Sequence, residues 1–445
     1  MSSRMMSLLK IAVSGLIVIE SLLLAFFMRP IQDDYFNLQS VQQMGILGYL
    51  NDTWNNHGGN MVQFFIHCIV ILPTTQSFTF WNLGLFFLAT ELLVFYTVKT
   101  IFEWLFEAMS SSLRFWISLL SVAGFEGLFV PGFLGAYGFS LATLAHLWPV
   151  MAFTVGLIGL KRFRGSWAVA LLLGLIAGNS NLGESAFACG VWLLVLLAFF
   201  LVEEFETKSG LKKDLSFYLL GVGSFVGTIG IAAAPGFWNR ASDQVGLPHS
   251  LSDFVKRFAK SFASFTADGL SHPMFWVLLF LGIVLTRTSP KSELILDSFK
   301  FKMLAVGTCL IWIALILGST FAYPAWHQSM GMYVLLLPFA FSLGVVRLLD
   351  LKTKLVTVAL AVAGIVMTAT FLRIGVLGVN RSLVWDRNLQ TNVCLLKTNP
   401  DAKLLGAEIQ YPPFGLGVDD VNTWDWMRNK YVGWVAVVPS DIKCD

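Results

Sequence analysis

Long apolar segments, separated by short polar junctions, recur along most of the chain and predict helices that span a membrane. The first segment runs from Ile11 to Phe27 with Glu20 as its only charge. At about 1.5 Å of rise per residue it is long enough to cross a bilayer. The whole pattern predicts about eleven such spans. They are residues 11–29, 79–99, 115–131, 148–161, 166–180, 185–203, 216–234, 273–286, 301–320, 330–348 and 355–373.

The composition agrees with this pattern. The chain has 445 residues, of which 56% are hydrophobic and 13% are charged, whereas a soluble domain carries about 25% charged residues. We therefore expect an α-helical polytopic membrane protein. There is no Walker A loop, no GxGxxG and no GxSxG, so soluble nucleotide chemistry and a nucleic-acid partner are not expected.

Basic residues mark alternate junctions and predict the orientation. The junctions at 132–147, 181–184 and 321–329 contain neither Lys nor Arg. By the positive-inside rule they face outward, which leaves the N-terminus in the cytoplasm and the C-terminus outside the inner (plasma) membrane. The basic residues of the cytoplasmic junctions are Arg4, Lys10, Lys99, Arg114, Lys161, Arg162, Arg164, Lys208, Lys212, Lys213, Arg287, Lys291, Arg347, Lys352 and Lys354.

Two outer loops interrupt the bundle, at residues 30–78 and 235–272. If the apolar run 61–72 were a span, every later basic junction would lie outside, so we interpret 37–76 as amphipathic or re-entrant helices. The second loop contains phenylalanines at helical spacing, which predicts a helix lying on the membrane. These are Phe254, Phe258, Phe262 and Phe265.

The remaining chain is less apolar, and we divide the protein into a transmembrane domain, 1–373, and a small extracytoplasmic α+β domain, 374–445. Short β-branched runs such as Val435–Val438 indicate β structure in the tail. Of five cysteines, Cys394 and Cys444 lie in this tail. An oxidising compartment would allow a disulfide between them, with two free thiols as the alternative.

The candidate for chemistry is the carboxylate pair Asp33 and Asp34, directly after the first span. Such a pair at the lipid–water boundary is suited to a general base acting on an acceptor hydroxyl. The alternative is a helix cap or an interfacial anchor. Neighbours on a helix point about 100° apart, so we expect one to reach the substrate and the other to hold the loop.

Two further motifs flank outer ends of spans. Arg240 follows a Pro235-Gly236 break, and its planar guanidinium suits phosphate oxygens, with an interfacial anchor as the alternative. Glu184 is the only charge in the polar turn 178–184. It is a candidate for binding a sugar hydroxyl or orienting Arg240, and helix capping by this turn is the alternative.

The spacing of the histidines does not indicate a metal site. No pair has metal-ligand spacing, so neither a metal nor another cofactor is expected. Five of the six lie in outer loops or at span ends, namely His57, His146, His249, His272 and His327.

Three of these motifs together resemble the polytopic GT-C glycosyltransferases that use polyprenyl-phosphate sugars, in particular the Gtr-type O-antigen glucosyltransferases and related bacterial families. The matching stretches are Asp33–Tyr35, Asn51–Gly59 with Trp54 and His57, and Pro235-Gly236 followed by Asn239-Arg240. The sequence departs from the family at Asn60 and at Trp326-His327-Gln328, where an Arg would be expected.

The resemblance implies a GT-C-like bundle and an inverting sugar transfer to an extracytoplasmic glycan or lipid acceptor. Asp33 would be the base, with Asp34 beside it, and Arg240 would bind the donor phosphate. The substrate-binding candidates are Trp54, His57, Glu184, Asn239 and His327. A lipid-linked sugar transporter or flippase and a non-catalytic glycan-assembly subunit are the alternatives. A transporter would show inverted repeats and broken helices.

Overall fold

The computed structural model describes residues 3–30, 33–106, 109–112, 114–115, 118–119, 122, 143–159, 166–180, 182–201, 214–244, 248, 250–271, 353–399, 401–406, 408–409, 418–419, 425–438, 442 and 444. These residues are almost entirely helical, which confirms the helical class expected from the apolar pattern. The elements are α1 (Ser3–Phe26), α2 (Asp33–Asp52), a first π turn (Thr53–His57), α3 (Met61–Gln76), α4 (Trp81–Leu105), a second π turn (Thr143–Leu147), α5 (Trp148–Gly159), α6 (Trp167–Gly178), α7 (Leu182–Leu201), α8 (Leu215–Ala233), α9 (Pro235–Gln244), α10 (Leu251–Ser271), α11 (Thr353–Thr398), β1 (Glu408–Ile409), β2 (Val418–Asp419) and α12 (Asp425–Val437).

Seven predicted spans overlap helices, namely 11–29, 79–99, 148–161, 166–180, 185–203, 216–234 and 355–373. Judged by length and composition, two helices of the described chain could cross a membrane, Trp81–Trp104 and Leu215–Ala233, and shorter apolar stretches occur in α1, α3, α5, α6 and α7. The predicted spans 273–286, 301–320, 330–348 and most of 115–131 lie outside the described residues. The full set of about eleven spans therefore stays a prediction.

Several helices bury polar side chains and expose apolar ones. In α3, Gln63 and His67 are buried, whereas Phe65 and Ile69 are about half exposed. A soluble helix does the opposite, because it buries its apolar stripe. The same division holds in α1, α4 and α8, where the buried polar residues are Glu20, Ser21, Thr90, Glu91, Ser216 and Ser224 and the exposed apolar ones include Ile11, Leu22, Phe26, Leu85, Leu92, Val222 and Ile229.

Residues 33–76, from the segment predicted to be the first outer loop, form a compact helical hairpin. Within α2 the backbone bends at Gly45, whose φ of 68° is a conformation that glycine adopts without steric cost. The bend brings the two ends of α2 together, so that Tyr49 donates a hydrogen bond to the side chain of Asn37. The predicted helical character of segment 37–76 is confirmed by α2, the first π turn and α3.

Helices α6 and α8 touch through their backbones. Each carries a GxxxG pattern, Gly174 to Gly178 in α6 and Gly223 to Gly227 in α8. A Cβ on Gly223 would lie 2.5 Å from the carbonyl oxygen of Leu171. Small residues at this spacing are what allows two helices to approach so closely.

The C-terminal segment continues from the bundle. Helix α11 has 46 residues and runs unbroken through positions 373 and 374, where the sequence predicts a domain boundary. Beyond it, β1 and β2 pair antiparallel over two residues each. Of the two alternatives left open for the tail cysteines, the structure shows the disulfide, because Cys394 in α11 is bonded to Cys444.

The β structure indicated by Val435–Val438 is wrong. Residues up to Val437 belong to helix α12. Its buried positions are Tyr431, Trp434, Val435 and Val438, which follow the i, i+3, i+4, i+7 spacing of a helix. The helical spacing becomes visible only when Tyr431 and Trp434, which precede the β-branched run, are included.

These aromatic residues dock α12 onto α2. The ring of Tyr35 stacks on Trp434 at 6.0 Å and meets Tyr431 edge-on at 5.1 Å. Trp434 also donates a hydrogen bond to the carbonyl of Thr74 in α3. One core thus unites α2 and α3 with the C-terminal segment.

The contact between α6 and α8 predicts a position-specific effect of adding one methyl group. Gly178→Ala should destabilise the protein by about 1–3 kcal/mol, because its Cβ would collide with the backbone of Ser224. Gly190→Ala in α7 is the matched control, since nothing lies within 4 Å of that Cβ, and it should be neutral or stabilising. Thermal unfolding of the purified protein measures both. Equal melting temperatures for the two variants would contradict the close approach.

Candidate functional site

The carboxylate pair begins helix α2, close to the end of α1. Asp34 is buried, and its Oδ1 lies 3.4 Å from Nε2 of His67 in α3, which is also buried. Because both groups are removed from water, their interaction is screened far less than a surface pair. Asp34 therefore joins α2 to α3.

Asp33 is the first residue of α2, and its side chain lies outside the described part of the structure. On a helix, adjacent residues are about 100° apart, so Asp33 occupies a different face from Asp34. The structure thus shows one carboxylate, Asp34, holding α2 to α3, and the availability of Asp33 stays a prediction. The first turn of a helix also favours carboxylates electrostatically, as the capping alternative requires.

Helix α11 holds the segment that joins α1 to α2. Trp385 donates a hydrogen bond to the hydroxyl of Tyr35 at 2.8 Å, and that hydroxyl donates to the carbonyl of Pro30 at 3.1 Å. The same carbonyl accepts a hydrogen bond from Arg381 at 3.5 Å. The position of the carboxylate pair is therefore determined by residues about 350 positions away in the chain.

Arg29 is also part of this junction. Its guanidinium forms a bidentate ion pair with Asp386, with Nε 2.6 Å from Oδ1 and Nη2 2.8 Å from Oδ2. The guanidinium also lies 4.9 Å from the centre of the Phe80 ring. Arg29 is the cation nearest to the carboxylate pair in sequence, but its contacts are with Asp386 and Phe80. We therefore assign it a structural role.

The first π turn brings two predicted substrate-binding residues together. His57 Nε2 lies 3.6 Å from Asp52 Oδ2, and both side chains are partly exposed. Asn239 in α9 donates a hydrogen bond to the carbonyl of Asn55 at 3.3 Å. Trp54 is partly buried in the same turn. His57, Trp54 and Asn239 therefore share one region, and their role in binding substrate stays a prediction.

The polar turn 178–184 contributes a residue that sequence reasoning overlooked. Asn179 caps α6, and its side chain accepts a hydrogen bond from the amide of Val62 at 2.7 Å. It donates to the carbonyls of Gly59 at 2.9 Å and Gly227 at 3.1 Å. Asn179 thus fixes the end of the first π turn against α6 and α8.

The remaining predicted residues are described only in part. Glu184 is buried in the first turn of α7. Arg240 belongs to helix α9, but its side chain lies outside the described part of the structure, as does the whole of His327. Neither the contact of Glu184 with Arg240 nor the role of His327 is tested, so both stay predictions.

The site has no ionised thiol among its described groups. Cys68 follows His67 in α3 and is buried. Burial raises the pKa of the Cys68 thiol to about 12, so this thiol stays protonated at neutral pH. Among the described residues no group of three or more potential ligands is placed to hold a metal ion.

Two functional candidates were missed in the sequence. His67 lies in an apolar run, but Gln63, His67 and Thr74 recur on one helical face and all three are buried, a pattern that could have identified it. Lys430 in α12 places its ammonium 4.7 Å from the centre of the Phe36 ring in α2. No local pattern pairs these two residues.

No protein-family model, curated protein or solved structure matches the chain.

The buried contact between Asp34 and His67 predicts energetic coupling. Asp34→Asn and His67→Gln should each destabilise the protein by about 1–3 kcal/mol, because each leaves a buried polar group poorly paired. The double variant should lose less than the sum, with a coupling of about 0.5–3 kcal/mol. The free energy of unfolding of the wild type, the two single variants and the double variant, measured by thermal or denaturant unfolding, gives the double-mutant cycle.

The matched control uses the other Asp–His pair. Asp52→Asn and His57→Gln alter partly exposed groups, whose coupling should be about 0–1 kcal/mol. If Asp34 and His67 show no more coupling than this surface pair, Asp34 is not held by His67.

Proposed function

We propose that this chain is a polytopic membrane glycosyltransferase of the GT-C type. It moves a sugar from a polyprenyl-phosphate donor to a hydroxyl of an extracytoplasmic glycan or lipid acceptor, with inversion. The observation that carries the proposal is the placement of Asp33-Asp34 at the start of α2, directly beyond apolar helix α1, with Asp34 buried against His67.

A lipid environment accounts for the apolar side chains that these helices expose. Water would penalise the exposed apolar faces of α1, α3, α4 and α8, whereas hydrocarbon would favour them. In lipid, polar side chains are directed into the bundle, where they find partners. The close glycine contact of α6 with α8 is also typical of membrane helices. On this basis the chain spans the plasma membrane several times.

The proposed reaction is a single displacement at the anomeric carbon. The acceptor oxygen forms the new glycosidic bond while the bond from the anomeric carbon to the donor phosphate breaks. The acceptor proton passes to Asp33, and the electron pair leaves with the lipid phosphate. Asp34 positions α2 through His67, so it supports the base from an adjacent face.

The remaining predicted residues supply binding. Arg240 binds the donor phosphate and stabilises its growing charge. Trp54, His57 and Asn239 lie in the region of the first π turn and bind substrate, and Glu184 and His327 complete the set. No metal is required, because a phosphate ester is already a good leaving group.

Replacing the base should remove activity without unfolding the protein. Asp33→Asn should lower sugar transfer about 10²–10⁴-fold, because the amide cannot accept the acceptor proton. Asp34→Asn should impair transfer less completely. Mass spectrometry of envelope glycans from cells that lack the gene, complemented with each variant, measures the sugar added.

The control for this experiment is Asp401→Asn, which makes the same chemical change at an exposed position of the C-terminal segment. It should transfer normally. Near-normal transfer by both Asp33→Asn and Asp34→Asn would reject the catalytic role and favour the assembly-subunit alternative.

The proposed topology predicts where thiols react. In intact cells a membrane-impermeant maleimide should label Cys394 and Cys444 only after their disulfide is reduced. A Lys208→Cys variant, in a junction predicted to be cytoplasmic, should stay unlabelled until the cells are permeabilised. Tail thiols that remain unlabelled after reduction and denaturation of the outer face would place the C-terminus inside. Labelling of both tail cysteines without prior reduction would disprove the disulfide but would still place the C-terminus outside.

A further inference from the structure

Residues of the first π turn and of α12 meet at Phe36, near the start of α2. The ammonium of Lys430, from α12, lies 4.7 Å from the centre of the Phe36 ring. The ring of His57, from the first π turn, meets Phe36 edge-on at 5.4 Å. Phe36 therefore contacts both a cation and an imidazole.

This cluster lies one helical turn from Asp33. Positions i and i+3 of a helix are neighbours on one face, so Phe36 belongs to the face of Asp33. One turn of helix rises about 5.4 Å, which is comparable to the width of a sugar ring. In an inverting displacement, the leaving group lies on the opposite face of the sugar from the acceptor and its base. A phosphate bound at Lys430 and His57 would be separated from Asp33 by about the width of one sugar, as this arrangement requires.

Lys430 is available in a way that other nearby cations are not. Arg29 is paired with Asp386, and Arg428 donates to the carbonyl of Ala402 at 2.8 Å. Among the described carboxylates none forms an ion pair with Lys430. The Phe36 ring attracts the ammonium through its face but does not neutralise the charge.

We propose that Lys430, together with His57, binds the phosphate of the lipid-linked donor, so that helix α12 completes the site of the transmembrane bundle. This inference rests on the proposed function and adds a phosphate-binding cation from the C-terminal segment. The ammonium supplies charge-assisted hydrogen bonds to phosphate oxygens. His57 Nε2 lies 3.6 Å from Asp52 Oδ2, so the protonated imidazole can keep this contact and donate its second ring N–H to the phosphate.

The test is a binding experiment on the full-length purified protein. A polyprenyl phosphate, the matching polyprenol and inorganic phosphate are titrated by microscale thermophoresis. The wild type should prefer the polyprenyl phosphate to the polyprenol. Lys430→Gln should weaken binding of the polyprenyl phosphate about tenfold while leaving polyprenol binding unchanged, because only the phosphate contact is lost.

Two control variants separate charge from folding. Lys430→Arg retains the cation and should keep most of the affinity. Lys403→Gln makes the same charge change at an exposed position of the C-terminal segment and should have no effect. The melting temperature of each variant is measured alongside.

The outcomes distinguish this inference from the proposed function. A wild type that does not distinguish polyprenyl phosphate from polyprenol would overturn the proposed donor class. If Lys430→Gln still prefers polyprenyl phosphate to polyprenol as strongly as the wild type, the role of Lys430 is overturned and the proposed donor class stands. Loss of this preference in Arg240→Ala would assign the phosphate contact to Arg240. Equal loss of both lipids would assign Lys430 a structural role and also overturn it. Competition by inorganic phosphate at equal concentration would assign the site to free phosphate instead.

Discussion

The packing of aromatic residues around Tyr35 is the constraint on which the site depends. Its hydroxyl links Trp385 of α11 to the carbonyl of Pro30, and its ring packs against Tyr431 and Trp434 of α12. Tyr35 directly follows Asp34 in the first turn of α2. The orientation of the carboxylate pair is thus set by contacts that form only when the two ends of the chain meet.

Polar groups in the interior give the bundle its specificity. Buried apolar clusters join these helices. Hydrogen bonds and close backbone contacts add directional constraints on how the helices pack. Asn179 joins three segments through Val62, Gly59 and Gly227. Any alternative packing of α6 and α8 would leave these buried groups unpaired, at a cost of about 1–3 kcal/mol each.

Local structure was predictable from the sequence, whereas the assembly of the site was not. Apolar length and the spacing of Phe254 and Phe258 predicted helices correctly, because helical period is a local property. The Asp34–His67 contact spans 33 residues and depends on the bend at Gly45. The helix at Val435 was misread because Tyr431 and Trp434, which set its period, precede the β-branched run. Helical period could mark His67 as a buried position, but it does not identify Asp34 as its partner.

The C-terminal segment packs against the helices that carry the candidate site. Helix α11 is continuous with the last predicted span, and the Cys394–Cys444 bond ties its end to the residues beyond α12. Helix α12 is therefore held at its far end by a covalent bond and along its face by Trp434 and Tyr431. A helix held in this way can present Lys430 to Phe36 at little further entropic cost, since the disulfide and the aromatic core have already restricted its freedom.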